Sequence, residues 1–460
     1  MPQLYIALAQ GRYKSVWNHR CTQINTDENK GKTISVIHVW LVKVGVAQRM
    51  QNSKRSIVAL ILPLRFFLSA FICVHLWFQI PISVAQTLTG IDVLEAQKFA
   101  PLNGKRVGLI TNQTGIDRNR RSTIDLLAHA PGVKLVALFS PEHGLRGNFD
   151  ERVSSTTDEA TGLPVYSLYG ETERPTDAML AGFDALVFDI QDAGVRFYTY
   201  ITTMGYAMEA AAAHHLAFYV LDRPDPLGGE RIEGPMLDRD RTNFVAYFPM
   251  PVRMAMTLGE MAQMFNAEKK IGCDLHIIRM QNWPRRFYFS DTGLPWVSPS
   301  PNLRIPEAGI LYPGLEILQT GGVSVGRGTP RPFELVGAPW IGGEGLAAYL
   351  NRRAIPGVRF EPEKFTPDSG LYKGEVCEGV RIELTDRDAL QPMRMGVEIA
   401  SALAKLYPGK FDAAKMIELV GNTAAIKQMV AGTDAAAIVE SWDKDLDAFR
   451  NVRAKYLLYR

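Results

Sequence analysis

The stretch Leu135-Val136-Ala137-Leu138-Phe139-Ser140-Pro141-Glu142-His143-Gly144 places a carboxylate and an imidazole directly after an apolar run of strand length. In an open α/β sheet, ligands bind just past the carboxyl ends of the strands. Glu142 is therefore a candidate for acid–base chemistry. Three further apolar runs end in the same manner. Arg106 to Ile110 leads into Asn112 and Gln113. Ala185 to Ile190, which includes Asp189, leads into Gln191, Asp192, Arg196, Tyr198 and Tyr200. Ala217 to Leu221 leads into Asp222 and Arg223. If the strands are parallel, the four polar clusters gather along one edge of the sheet. Each residue also has a purely architectural reading. Glu142 can cap its own turn or pair with Arg146, Asp189 and Asp222 can bind backbone amides at strand ends, and Arg196, Arg223 and Arg327 can serve as ion-pair partners.

The apolar runs lack period-two alternation, as expected of parallel strands buried on both faces. Helical segments lie between them. One spans Ser122 to Ala130 with Ser122 and Thr123 as caps, and another, rich in alanine, spans Ile201 to His215. Thr257-Leu258-Gly259-Glu260 has capping-box spacing and opens a helix whose Met261, Met264 and Phe265 face a core. Leu275 to Met280 reads as a strand and Glu151 to Thr176 as irregular. The proline-rich stretch Pro295 to Pro306 reads as a connection. Beyond it, Gly345 to Arg353 and Met393 to Leu406 read as helices and Gly379 to Leu384 as a strand. The expected fold class is α/β: a Rossmann-like, mostly parallel sheet domain over residues 86–300, and a second, smaller α/β auxiliary domain over residues 301–460.

The first 85 residues differ from the rest. Met50 opens a basic segment, Phe66 to Ile80 is apolar apart from His75 and Gln79, and Ser83-Val84-Ala85 follows, the pattern of a secretory signal peptide over residues 50–85. The rival is a membrane anchor from Ile57 to Ile82, which Pro63, Arg65 and Pro81 interrupt. Residues 1–49 read as an over-extended start. The expected location is periplasmic or secreted, with membrane contact only through an uncleaved leader. Ten of the 51 basic and two of the 48 acidic side chains lie within residues 1–85, so the remainder carries a net charge of −5. That balance gives no support to a nucleic-acid partner. Two cysteines remain outside the leader, Cys273 and Cys377. They can form one disulfide or remain two buried thiols.

No Gly-rich phosphate turn follows the first strand, and no P-loop occurs, which argues against a nucleotide cofactor. No cofactor is expected. Gly322-Val323-Ser324-Val325-Gly326 fits the nucleophile-elbow pattern of serine hydrolases, but the following Gly- and Pro-rich residues cannot start the long helix that the elbow needs. His143, His214 and His215 lack metal-ligand spacing, so no metal is expected.

Six segments together resemble the bacterial exo-β-N-acetylmuramidases: Leu109 to Gly115, Ser140 to Gly144, Asp189 to Tyr200, Asp222-Arg223-Pro224, Pro301-Asn302-Leu303 and Gly326 to Thr329. The resemblance runs from about Gly90 to Arg460. One local departure is Arg304, where the family more often has proline. The resemblance implies a Rossmann-like catalytic domain, a C-terminal auxiliary domain and a cleft between them. It also implies release of N-acetylmuramic acid from the non-reducing ends of peptidoglycan fragments, and a catalytic glutamate at Glu142. Glycoside cleavage needs a proton donor at the leaving oxygen and support for an oxocarbenium-like centre. The second role falls to Asp189, Asp192 or the substrate's own acetamido group. The lactyl carboxylate suits a forked guanidinium, Arg196 or Arg327. Asn112, Gln113 and Asn302 are candidate hydroxyl or acetamido partners, Tyr198 a stacking face, and His143, Gln191, Asp222 and Arg223 further binding residues. A muramyl-sugar binding protein without turnover is the alternative.

Overall fold

The computed structural model describes residues 86–147, 152 and 154–460; the readings of residues 1–49 and 50–85 lie outside them. Residues 85–460 form one compact unit. Its main sheet has seven strands: β1 (Arg106–Thr111), β2 (Lys134–Ser140), β3 (Thr156–Thr157), β4 (Pro164–Ser167), β5 (Ala185–Asp189), β6 (Ala217–Leu221) and β7 (Asp274–Ile278), in the order β3-β4-β2-β1-β5-β6-β7. Every pairing is parallel except β3 with β4. Leaving the edge strand β3 aside, this is the doubly wound Rossmann order, with the topological switch between β1 and β5.

Side chains alternate across the sheet, apart from an irregularity where β1 pairs with the start of β2. Ile110, Leu186, Phe188, Phe218 and Val220 pack on one face with Ile201, Met204 and Met208 of the helix Tyr200–Ala213. Val107, Leu109, Val187, Tyr219 and Leu221 pack on the other, with Ile91 and Leu94 of the helix Gly90–Ala96 and with Leu127. Both faces are therefore buried, which is why the strands read as continuous apolar runs. The caps also lie where the sequence places them. Ser122 accepts from the Asp125 amide, and Thr257 and Glu260 close a capping box at the helix Leu258–Glu268. The stretch Glu151 to Thr176, expected to be irregular, contains β3 and β4. Four residues of β4 leave too little apolar pattern to register.

The C-terminal part carries an antiparallel sheet of β8 (Leu335–Ala338), β10 (Cys377–Leu384) and β9 (Val358–Phe365), in the order β8-β10-β9. The helices Gly343–Arg352 and Pro392–Leu406 accompany it. A further helix, Pro306–Gln319, has Pro306 in its first turn and Pro313 in its interior. It crosses Pro392–Leu406 through paired glycines. A Cβ on Gly314 would stand 2.0 Å from the Pro392 carbonyl oxygen, and one on Gly396 2.3 Å from that of Gly314. Cys273 and Cys377 are free and buried. Among the described residues, no helix is long and apolar enough to cross a membrane.

Candidate active site

β2 ends at Ser140, and Pro141 to Gly144 form a turn closed by the Gly144 amide on the Pro141 carbonyl at 3.0 Å. His143 (φ 70°) and Gly144 (φ 73°) both occupy the left-handed region. For a non-glycine residue such geometry is uncommon and concentrates at functional loops. Glu142 is half-buried beside this turn. The Thr199 hydroxyl donates to its Oε2. The Tyr169 phenol, which feels the same carboxylate, is pushed up to about 12, by burial first and then by the charge of Glu142. A hydroxyl can donate to a carboxylate or accept from a carboxylic acid. This pairing therefore serves both protonation states of Glu142.

Around Glu142 stands a layer of tyrosines. The rings of Tyr198 and Tyr200 meet edge-on at 4.9 Å, and the Tyr200 hydroxyl donates to the Pro299 carbonyl at 2.5 Å. Tyr312, from the helix Pro306–Gln319, packs on Tyr198 at 6.1 Å and on Phe333 at 4.7 Å. Its phenol is held well above its ordinary value by burial first and then by the Glu316 carboxylate. Arg327 opposes that shift, and the charge of Glu142 adds to it. The Tyr312 hydroxyl thus lies in the field of Glu142, Glu316 and Arg327 together. Glu316 Oε1 accepts from Arg327 Nη2 at 2.7 Å, and the Arg327 guanidinium lies 5.1 Å from the Phe333 ring centre. The C-terminal part thus places a carboxylate–guanidinium pair beside the Tyr312–Phe333 ring pair, which packs on Tyr198.

The amide side chains brace the floor. Asn112 Oδ1 accepts from the Thr114 amide and hydroxyl at 2.9 and 2.6 Å, leaving its Nδ2 buried without an acceptor among the described residues. Gln113 Nε2 donates to the Ser298 carbonyl at 2.8 Å, and its Oε1 is buried without a donor. Asn302 is buried in the turn after Pro301. The Tyr198 hydroxyl is buried, with the Ser300 and Tyr200 side chains beside it.

Several expected site residues do other work. Arg196 is fully buried and donates to the carbonyls of Pro235, Met250, Leu419 and Val420, between 2.6 and 3.2 Å. Leu419 and Val420 end the helix Ile417–Val420. Arg196 is thus a C-terminal helix cap, not an arm for a carboxylate. Asp189 is fully buried in a two-pronged pair with Arg223, at 2.6 and 2.9 Å, and takes the Thr123 hydroxyl at 2.5 Å. Three donors hold it away from solvent, so it is placed as a structural carboxylate, and Arg223 is spent on it and on the Ile116 carbonyl. Asp222 receives Thr257, Gly259 and Tyr459 donors, and Gln191 ties the ends of β5 and β6 through the Asp192 and Pro224 carbonyls. Asp192 differs. Its Oδ2 accepts from the Gly194 amide at 2.8 Å, its Oδ1 is buried without a donor among the described residues, and burial raises its pKa to about 8. Ser324 is buried in a bridge to Gly337 with no helix after it, so it makes no nucleophile elbow.

Thr199, Tyr169, Tyr312 and Glu316 were not legible as site residues. Thr199 lies inside the Asp189 to Tyr200 segment. The i, i+4 spacing of Tyr312 and Glu316 was the available signal, masked by the prolines of their helix.

Comparison with known proteins adds the following. Residues 107–307 match the family described as "Exo-beta-N-acetylmuramidase NamZ, N-terminal", and residues 310–459 match its C-terminal counterpart. The chain is 44% identical over 376 residues to the peptidoglycan beta-N-acetylmuramidase NamZ of Bacillus subtilis, covering 81% of this chain and 91% of that one. A crystal structure of a DUF1343 family protein from Bacteroides fragilis superposes with a TM-score of 0.77 at 40% identity, covering 82% of this chain and 99% of that one. A second from the same organism gives 0.69 at 31% identity with the same coverage.

Proposed function

The chain belongs to the exo-β-N-acetylmuramidase family, and from that premise we propose that its cleft releases N-acetylmuramic acid from the non-reducing end of peptidoglycan fragments, with Glu142 as the general acid. The observation that carries this reading is the run of contacts from Glu142, held by Thr199, through the neighbouring Tyr198 ring and its contact with Tyr312 to the Glu316–Arg327 pair one helical turn on. One wall supplies a proton donor for the leaving oxygen and the other a guanidinium for the lactyl carboxylate.

The second catalytic group follows by elimination among the carboxylates considered. Asp189 is consumed by Arg223. Asp192, raised to about 8, holds its proton at neutral pH and is a poor base there. The acetamido oxygen of the substrate is therefore assigned to attack the anomeric carbon as Glu142 protonates the departing oxygen. Water then opens the cyclic intermediate, with Glu142 taking its proton. Two displacements at one carbon retain configuration. The test is proton NMR of N-acetylmuramic acid as the purified chain releases it from a muramyl disaccharide. The β-anomer must appear first; first appearance of the α-anomer refutes the assisted route, and an unchanged disaccharide after long incubation favours a binding protein. The leader-like composition of residues 50–85 supports export, and fractionation of the producing cells tests it.

A further inference from the structure

Glu316 stands one helical turn after Tyr312 on the helix Pro306–Gln319, with its side chain 13% exposed. Its Oε1 is fixed by Arg327 at 2.7 Å. Its Oε2 is buried with no donor among the described residues. A buried carboxylate oxygen left in this way is costly, and rotation cannot relieve it without releasing Arg327. A ligand that satisfies it must present an O–H or N–H. The lactyl carboxylate offers only acceptors, so the donor comes from the sugar itself. In the arrangement proposed above, Arg327 reads the lactyl group, which hangs from C3. A side chain paired with Arg327 then neighbours the substituents of C2 and C4. The acetamido group on C2 turns toward C1 to take part in the reaction. The hydroxyl on C4 is left.

We propose that Glu316 accepts a hydrogen bond from the free 4-hydroxyl of the terminal N-acetylmuramic acid, and that this contact makes the cleft read a chain end. This rests on the function proposed above. In an internal muramyl unit, O4 carries the next sugar and no proton. Binding such a unit would leave Glu316 Oε2 without a donor and press a pyranose against the helix that holds it. A site built around a hydroxyl rejects a ligand lacking it far more strongly than an apolar pocket rejects an extra group.

The experiment compares N-acetylmuramic acid with its 4-deoxy analogue in the full chain. It uses both calorimetric affinity of the free sugars and kcat/KM on matched chromogenic muramides. The wild type is expected to favour the 4-hydroxy compound by about 100-fold, the scale of a lost hydrogen bond to a charged group, and Glu316→Ala to reduce the preference to within about threefold. Glu316→Gln, which keeps shape and an acceptor but no charge, should be intermediate, and its thermal midpoint checks that the fold is intact. A preference that survives Glu316→Ala overturns the assignment, as does a wild type indifferent to the 4-hydroxyl. Because the affinity arm needs no turnover, absent hydrolysis with a Glu316-dependent preference would count against the catalytic reading alone. Hydrolysis with an unaltered preference would count against Glu316 alone.

Discussion

At the scale of single residues, the contrast is between Glu142 and the buried charges near it. Glu142 takes the Thr199 hydroxyl, a partner that tolerates either protonation state, whereas Asp189, Asp222 and Arg196 are locked in fixed bonds. Glu142→Gln is expected to lower kcat on a natural disaccharide by roughly two to four orders of magnitude, the worth of general acid catalysis. The loss should shrink on an aryl muramide whose leaving group departs without a proton. An equal loss on both substrates would show that Glu142 acts in some other way. Arg196→Met should do the reverse. It strips donors from four buried carbonyls and should destabilise the fold by about 3 kcal/mol or more, read as a lower thermal midpoint. KM for the muramyl substrate should be unchanged at temperatures where the variant is folded. A raised KM with an unaltered midpoint would return Arg196 to the ligand. Burial pulls the Arg196 pKa down to about 9, still charged at neutrality, and carbonyl oxygens answer that charge.

At the scale of elements, the helix Pro306–Gln319 links architecture to recognition. Gly314, where it touches Pro392–Leu406, lies between Tyr312 and Glu316. A methyl group at Gly314 has no room, since its position is 2.0 Å from the Pro392 carbonyl oxygen. Gly314→Ala must therefore push the helices apart, at about 1–3 kcal/mol, and carry Glu316 with them. A lower thermal midpoint and a raised KM are expected together; a normal KM in the destabilised variant would uncouple the helix from the site. This helix also shows where the sequence becomes hard to read. β1, β2, β5 and β6 announce themselves because strands buried on both faces are continuous apolar runs with polar ends. Pro306–Gln319 holds two prolines and two glycines, the residues that ordinarily punctuate helices, and the sequence pattern marks no helix there. At the strand ends, sequence marks that charge is present but not what it meets. Asp189 and Glu142 each follow an apolar run, and only tertiary structure shows that Arg223 fills one while a hydroxyl attends the other.

At the scale of the whole molecule, buried carboxyls along the strand ends set how stability responds to pH. Burial raises Asp222 to about 6, Asp225 to about 7 and Asp192 to about 8, against about 3.9 for an unfolded aspartate. Asp192 and Asp225 each also feel another carboxylate, Asp192 that of Asp225 and Asp225 that of Glu260. Between about pH 4 and pH 8 the folded chain therefore binds more protons at these sites than the unfolded chain. Their contribution to stability is complete below the unfolded value and declines as pH rises through the folded ones. Asp184, held at about 2 by Arg106, acts in the opposite sense, and only below about pH 4. The thermal midpoint is thus expected to fall from pH 5 upward, most steeply below about pH 6, where all three sites still hold protons that the unfolded chain has lost, and to level off above about pH 8. Asp192→Asn keeps an oxygen for the Gly194 amide but has no proton to lose, so it should flatten the upper part of that fall. Midpoints measured across this range for both proteins decide the matter. A variant whose midpoint falls as steeply as the wild type's would show that Asp192 keeps its charge in the folded state, which would restore it as a candidate base.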